Sequence, residues 1–212
     1  MKMTVFGASG GTGTQLVTQA LDAGHEVLAV VRDRARLAVP ASPSLQVAVA
    51  DVMDPGSITE AVTGRDAVVS AIGPRGGVRE LTTVCADSAR SIVTAMQAAG
   101  SRRLLVVSGS GPFTDGDGPL MRYLAKPITK LVLRHTFADF VAMESAVRAS
   151  GLDWTIVRPP ALTDKPLTGR YRTRAELNVR RGLRVSRADL AHLLLVTAAD
   201  PSTHHAAIFI AN

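Results

Sequence analysis

The stretch that decides the fold is residues 2–31, KMTVFGASGGTGTQLVTQALDAGHEVLAVV. Its first five residues predict a buried strand, and the glycine-rich turn GASGGTG at residues 7–13 follows directly. Residues 11–23 predict a helix that Gly24 ends, and residues 26–31 predict a second buried strand. A strand, a glycine-rich turn, a helix and another strand in this order predict a parallel β-α-β unit.

The remainder of the chain continues this alternation. Further strands are predicted at residues 45–50, 67–72, 104–107, 154–157 and 207–210. Helices are predicted near Pro55, over residues 80–99, from Thr136 and Asp139 to Gly151, and from Ser186 onward. We therefore predict an α/β fold of Rossmann type, a doubly wound parallel sheet flanked by helices on both faces. A single domain is expected over residues 1–212, with residues 162–184 as a small irregular segment on the substrate side.

Composition excludes several classes of protein. The single cysteine, Cys85, excludes a disulfide within the chain and a cysteine-based metal cluster, and we expect no metal site. No stretch reaches the length of a membrane span, and the chain starts with a strand instead of a signal peptide, so we expect a cytoplasmic protein without membrane contact. The 24 basic residues exceed the 18 acidic ones, but no aromatic residues interleave with them, so we expect no nucleic-acid partner.

The glycine-rich turn predicts an anion site. Glycine lets the backbone bend sharply and approach a diphosphate, and the N-terminus of the next helix offers free N–H groups and a partial positive charge. The last glycine, Gly13, permits close packing of the helix on the strand. The residues expected to hold a dinucleotide here are Gly7, Ser9, Gly10, Gly11, Thr12 and Gly13.

The residues after the second strand select between the two nicotinamide cofactors. An acidic residue there hydrogen-bonds the ribose hydroxyls of NAD, whereas arginine suits the 2′-phosphate of NADP. Arg32 comes first and Arg36 follows one helical turn later, while Asp33 favours NAD. We predict that NADP(H) is preferred over NAD(H). A solvated run of surface arginines is the alternative interpretation.

The chain resembles the atypical short-chain dehydrogenase/reductase group that contains NmrA-like and flavin reductase (biliverdin reductase B)-like proteins. The matching segments are GASGGTG (7–13), VRDRARL (31–37), Asp51, SAIG (70–73), VVSGSG (106–111), SGLDWTIVRPP (150–160) and VSRADLA (185–191). The resemblance implies adenine contacts from Asp51 and Val52, an adenosine-side wall of Ala71, Ile72 and Gly73, nicotinamide neighbours Ser108, Gly109 and Ser110, and carboxamide neighbours Pro159 and Pro160.

The chain departs from active dehydrogenases in its proton-transfer residues. Many short-chain dehydrogenases pair a tyrosine with a lysine four residues later. Here Tyr123 precedes Lys126 by three residues, and Tyr171 has no lysine nearby. Hydride transfer to a flavin needs mainly close stacking, with the proton supplied by solvent. Ser110 and His135 are the catalytic candidates that remain, and an ordinary surface histidine is the alternative for His135.

Three functions are consistent with these features. The first is an NADPH-dependent oxidoreductase that transfers hydride to a small-molecule acceptor, such as FMN, FAD or a similar planar compound. The second is a non-catalytic, NmrA-like sensor that binds NADP(H) and regulates a partner. A sugar-nucleotide epimerase is the third, although 212 residues leave little room for a substrate domain. The sequence leaves open whether the protein is a monomer or a homodimer.

Overall fold

The computed structural model describes residues 1–74, 80–119, 122–123 and 126–212. The strands within these ranges are β1 (Lys2–Phe6), β2 (Glu26–Val31), β3 (Leu45–Val49), β4 (Ala67–Ser70), β5 (Arg103–Val107), β6 (Asp153–Arg158), β7 (Ala161–Thr163), β8 (Arg172–Ala175), β9 (Arg184–Ser186) and β10 (Ala206–Ala211). The α-helices are α1 (Gly11–Asp22), α2 (Pro55–Val62), α3 (Val84–Ala99), α4 (Lys126–Val132), α5 (Arg134–Arg148) and α6 (Arg187–Ala198).

The central sheet has eight strands in the order β3-β2-β1-β4-β5-β6-β10-β8. The pairings from β3 through β10 are all parallel, with Thr4 of β1 opposite Leu28 of β2 on one side and Val68 of β4 on the other. The strand order reverses direction between β1 and β4. A crevice for a ligand forms at such a reversal, beyond the carboxyl ends of the strands. The predicted Rossmann-type sheet is confirmed.

Helices cover both faces of this sheet, as predicted. On one face α1 and α6 pack together over side chains such as Val5 and Val157. On the other face α2, α3 and α5 cover Phe6 and Ile156. Neighbouring side chains of one strand therefore pack into the core on opposite faces of the sheet, as the two-residue period of a strand requires. No helix of the described residues is long and apolar enough to cross a bilayer.

The segment at residues 162–184 is more regular than predicted. Its residues 172–175 form β8, which pairs antiparallel with β10 at the edge of the main sheet, so the sheet is not parallel throughout. Its ends contribute to β7 and β9, which form a separate parallel pair. The sequence RTRA of β8 carries no apolar alternation because one edge of the strand has no strand neighbour and charged side chains suit an exposed edge.

Three helices differ from the sequence prediction. Helix α3 begins at Val84 instead of residue 80, α4 was not anticipated, and α5 begins at Arg134 instead of Thr136. The predicted cap of α5 failed because Asp139 serves another helix. Its buried carboxylate accepts hydrogen bonds from the backbone N–H groups of Cys85 (3.0 Å) and Ala86 (2.8 Å) at the start of α3.

Candidate functional site

The turn between β1 and α1 has the geometry of an anion cradle. Gly7 has φ +75°, and a Cβ there would lie 2.8 Å from the carbonyl carbon and oxygen of Ala71. The N–H of Gly10 donates to the carbonyl of Gly7 at 2.9 Å and closes the turn. No side chain of the described residues caps the N-terminus of α1, and no acidic residue occupies its first turn. Its first N–H groups therefore remain available to an anion.

Gly13 fixes how closely α1 packs on β1. A Cβ at this position would lie 2.1 Å from the carbonyl oxygen of Gly7 and 2.8 Å from the Cα of Ala8. Both are backbone atoms, which cannot move aside without opening the turn. Glycine is thus required at both ends of the GASGGTG segment, which supports the predicted role of its spacing.

A cleft of about 540 Å³ opens above this turn, at the carboxyl edge of the sheet. The predicted cofactor residues that line it are Gly7, Ser9, Gly10, Gly11, Thr12, Arg32, Arg36, Asp51, Val52, Ala71, Ile72 and Gly73. They come from four separate strand ends, and the parallel sheet brings them to one edge. The predicted residues that do not line it are Gly13, Ser108, Gly109, Ser110, His135, Pro159 and Pro160.

The carboxylate of Asp33, the acidic residue after β2, is hydrogen-bonded to the backbone of its own turn. The Asp33 carboxylate accepts from the N–H of Ala35 at 2.9 Å and caps a short helical turn, Arg34–Arg36. Arg32 and Arg36 are exposed and line the cleft. Asp33 lines the cleft beside them, so this end of the cleft carries two arginines and one carboxylate that is hydrogen-bonded to its own turn.

The predicted nicotinamide neighbours lie beside one another, although outside this cleft. The N–H of Ser108 donates to the carbonyl of Val157 at 2.8 Å, and that of Ser110 donates to Pro159 at 2.8 Å. The Ser108 hydroxyl is buried and donates to Oε1 of Glu144 at 2.7 Å. Glu144 also accepts two hydrogen bonds from Arg158, in a pair whose side chains are only 4–5% exposed. The Ser108 hydroxyl thus already has a buried acceptor.

Aromatic rings of α5 support the loop that follows β5. A Cβ on Gly109 would lie 2.9 Å from the ring of Phe140, and one on Gly111 would lie 2.2 Å from the ring of Phe137. Lys126 anchors the same loop from the other side. It is 7% exposed, and its ammonium group donates to the carbonyls of Ser110 (3.2 Å) and Phe113.

The two tyrosines and His135 make contacts away from the cleft. Tyr123 is 74% exposed, and the hydroxyl of Tyr171 hydrogen-bonds Nδ1 of His192 at 2.7 Å. His135 accepts from Nε of Arg134 at 3.0 Å. None of these three lines the described cleft. The catalytic role of His135 stays a prediction without a contact that supports it.

Several residues of the cleft were missed by sequence reasoning. They include Met53, Pro74, Val84, Leu162 and Arg187. Cys85, next to Val84, carries an inert thiol, because burial and the neighbouring Asp139 carboxylate raise its pKa far above its usual range. Arg187 belongs to the segment VSRADLA and comes directly after a strand. That position is the sequence signal that could have indicated its place in the cleft.

Comparison with known proteins agrees with this geometry. The model of the NAD(P)H-binding family matches residues 7–201. An uncharacterized chloroplast protein of Arabidopsis thaliana is 33% identical over 177 residues, which are 79% of this chain and 61% of that protein. An uncharacterized sugar epimerase of Bacillus subtilis, YhfK, is 28% identical over 98% of this chain and 92% of its own length. The structure of a Veillonella parvula short-chain dehydrogenase/reductase in complex with NADP has a TM-score of 0.83 and 20% identity, with 100% and 94% of the two chains covered.

Proposed function

This chain belongs to the NAD(P)H-binding family, and from that premise we propose that it is an NADPH-dependent reductase that passes hydride to a flavin or a similar planar acceptor. The observation that carries the choice of acceptor is that the hydroxyl groups of Ser108, Tyr123 and Tyr171 all lie outside the lining of the cleft. The Ser108 hydroxyl donates a hydrogen bond to Glu144. The Tyr171 hydroxyl is hydrogen-bonded to His192, and the Tyr123 side chain is exposed to solvent. A reaction that draws its proton from solvent fits these residues better than reduction of an isolated carbonyl.

The cleft fits a dinucleotide. The absence of a Cβ at Gly7 and Gly13 lets the turn pack closely on its own backbone, and the uncapped start of α1 would hold the diphosphate through backbone N–H groups. Asp51 and Val52 line the adenine end, where Oδ1 of Asp51 accepts from the N–H of Met53 at 3.0 Å and the side chain is thereby oriented.

NADPH is the proposed cofactor because of the contacts after β2. The Asp33 carboxylate, the group at this position that could hydrogen-bond the ribose hydroxyls of NADH, has one oxygen taken up by the N–H of Ala35, and two arginines flank it in the cleft. Arg32 and Arg36 offer two guanidinium groups to a 2′-phosphate, which they can bind through paired, charge-assisted hydrogen bonds.

The proposed acceptor would lie against the loop that follows β5. A bound reduced nicotinamide supplies the hydride, and the proton that completes reduction of a flavin or quinone comes from water. This chain's own contribution is positional. Phe137 and Phe140 support the backbone of the loop, and Lys126 fixes its carbonyl groups. Stacking needs such a fixed surface more than it needs a protic side chain.

An acceptor assay tests the proposed reaction. We expect the purified protein to oxidise NADPH in the presence of FMN, FAD or a quinone, followed as the loss of reduced-nicotinamide absorbance. Tight NADP(H) binding without oxidation across the acceptors would contradict the proposal and favour the sensor. Interconversion of sugar nucleotides with no net oxidation would instead favour an epimerase.

Replacing Arg32 with alanine tests the cofactor preference. We expect the Kd for NADPH to rise about 10- to 100-fold, because a charge-assisted contact with the 2′-phosphate is lost. The Kd for NADH should change by less than about threefold. Both are measured by titration of the cofactor's fluorescence.

The matched control for this variant is Arg34→Ala. Arg34 belongs to the same exposed run but does not line the cleft, and its removal changes the net charge by the same amount. It should leave both Kd values near those of the wild type. Equal losses for NADPH and NADH in Arg32→Ala would exclude a 2′-phosphate contact.

A further inference from the structure

An ion pair between Asp164 and Arg187 lies at the edge of the cleft. The two-stranded sheet of β7 and β9 places it there. In the parallel pair of β7 and β9, Thr163 lies opposite Ser186. Asp164 follows β7 and Arg187 follows β9. Nη1 of Arg187 lies 2.5 Å from Oδ1 of Asp164, and the two side chains form an ion pair. The Asp164 side chain is 88% exposed, so water screens this pair strongly and it holds Arg187 only weakly.

The side chain of Arg187 lies across the first residue of α1. A Cβ on Gly11 would meet its Cδ at 2.7 Å and its Nε at 2.9 Å. Arg187 lines the cleft together with Gly10, Gly11 and Thr12. The guanidinium group is therefore next to the uncapped N–H groups at the start of α1.

Helix stability does not explain an arginine at this position. Arg187 is the first residue of α6, where a positive charge opposes the helix dipole. The N-terminus of α6 is already satisfied, because the Ser186 hydroxyl accepts from the N–H of Asp189 and the acidic Asp189 lies in the first turn. The arginine thus serves something outside its own helix.

We propose that Arg187 binds the diphosphate of the cofactor, opposite the N–H groups of α1, and gives up part of its contact with Asp164 to do so. This inference rests on the proposed dinucleotide site and extends it. A guanidinium group has five N–H donors, enough to bridge two phosphate oxygens while keeping one bond to a carboxylate. Since NADPH and NADH share the diphosphate, Arg187 adds affinity for both and selects neither.

Two small ligands separate this role from that of Arg32. ADP carries the diphosphate without a 2′-phosphate, and adenosine 2′-monophosphate carries the 2′-phosphate without a diphosphate. We expect Arg187→Ala to raise the Kd for ADP about 10-fold or more. The Kd for adenosine 2′-monophosphate should stay within about twofold of the wild-type value. Arg32→Ala should give the opposite pattern. Both ligands are titrated by calorimetry or by NMR.

Two control variants distinguish a direct phosphate contact from a general effect of lost positive charge. Arg180→Ala removes one exposed arginine that precedes β9 and does not line the cleft, and this variant should bind both ligands as the wild type does. Arg187→Lys keeps the charge and should recover part of the affinity for ADP. Circular dichroism of each variant confirms that it is folded.

The outcomes distinguish this inference from the proposed function. If the wild type binds ADP and Arg187→Ala binds it equally well, or loses both ligands to the same extent, Arg187 is not a diphosphate ligand while the cofactor site stands. If the wild type binds neither ADP, NADPH nor NADH, the cofactor site itself is wrong and this inference falls with it.

Discussion

Replacing Glu144 with alanine is expected to lower the free energy of unfolding by about 3–5 kcal/mol. Glu144 and Arg158 are 4% and 5% exposed, and the carboxylate accepts from Nε of Arg158 at 2.9 Å and from the Ser108 hydroxyl at 2.7 Å. Removing the carboxylate leaves a buried guanidinium group without its charged partner, because the rings of Phe113 and Phe209, 3.5 Å and 5.0 Å from the guanidinium carbon, carry no charge. Urea denaturation at equilibrium measures the loss.

An exposed ion pair provides the control for this variant. Asp87 pairs with Arg90 at 2.7 Å on α3, but the two side chains are about half exposed, at 48% and 56%. Asp87→Ala should cost less than about 1 kcal/mol. Losses of similar size in the two variants would show that burial does not determine the strength of the Glu144 pair.

Replacing Gly13 with alanine is the second change for which we expect a large effect. The added methyl group would lie 2.1 Å from the carbonyl oxygen of Gly7, so α1 must move away from β1 and the turn must open. We expect a loss of about 3 kcal/mol of unfolding free energy, in the range typical of overpacking, together with NADPH affinity reduced at least 10-fold. Denaturation and cofactor titration measure the two effects.

Gly118 offers a matched alanine variant. No heavy atom of the described residues lies within 4 Å of a Cβ built on Gly118, and its φ is not positive. Gly118→Ala should change the unfolding free energy by less than about 1 kcal/mol and leave NADPH binding intact. If Gly13→Ala behaves in the same way, the close packing of α1 on β1 does not shape the site.

Local patterns explain what the sequence predicts well. The apolar strands, the GASGGTG turn and the Ser186 cap each depend on residues within one turn or one strand, and the structure has all of them. The predicted adenosine-side residues also come together, because every one of them follows a parallel strand and such strands end at one edge.

Long-range contacts explain what the sequence does not predict. Asp139 looks like a cap for its own helix, but its carboxylate caps α3, more than fifty residues earlier in the chain. Arg187 reaches Gly11 from the opposite end of the sequence. Strand β8 has no apolar alternation because it lies at the sheet edge, where three of its four residues are exposed. Contacts of this kind depend on the assembled fold and leave no periodic signal.

In the proposed site, the backbone at the start of α1 binds the diphosphate of a nicotinamide dinucleotide. Equilibrium dialysis of the wild-type protein against NADPH tests it most directly. The structure predicts saturable binding of one NADPH per chain, with a Kd of about 100 μM or tighter, within the span of ordinary enzyme substrates. A folded protein that retains no NADPH or NADH at millimolar concentration would contradict it.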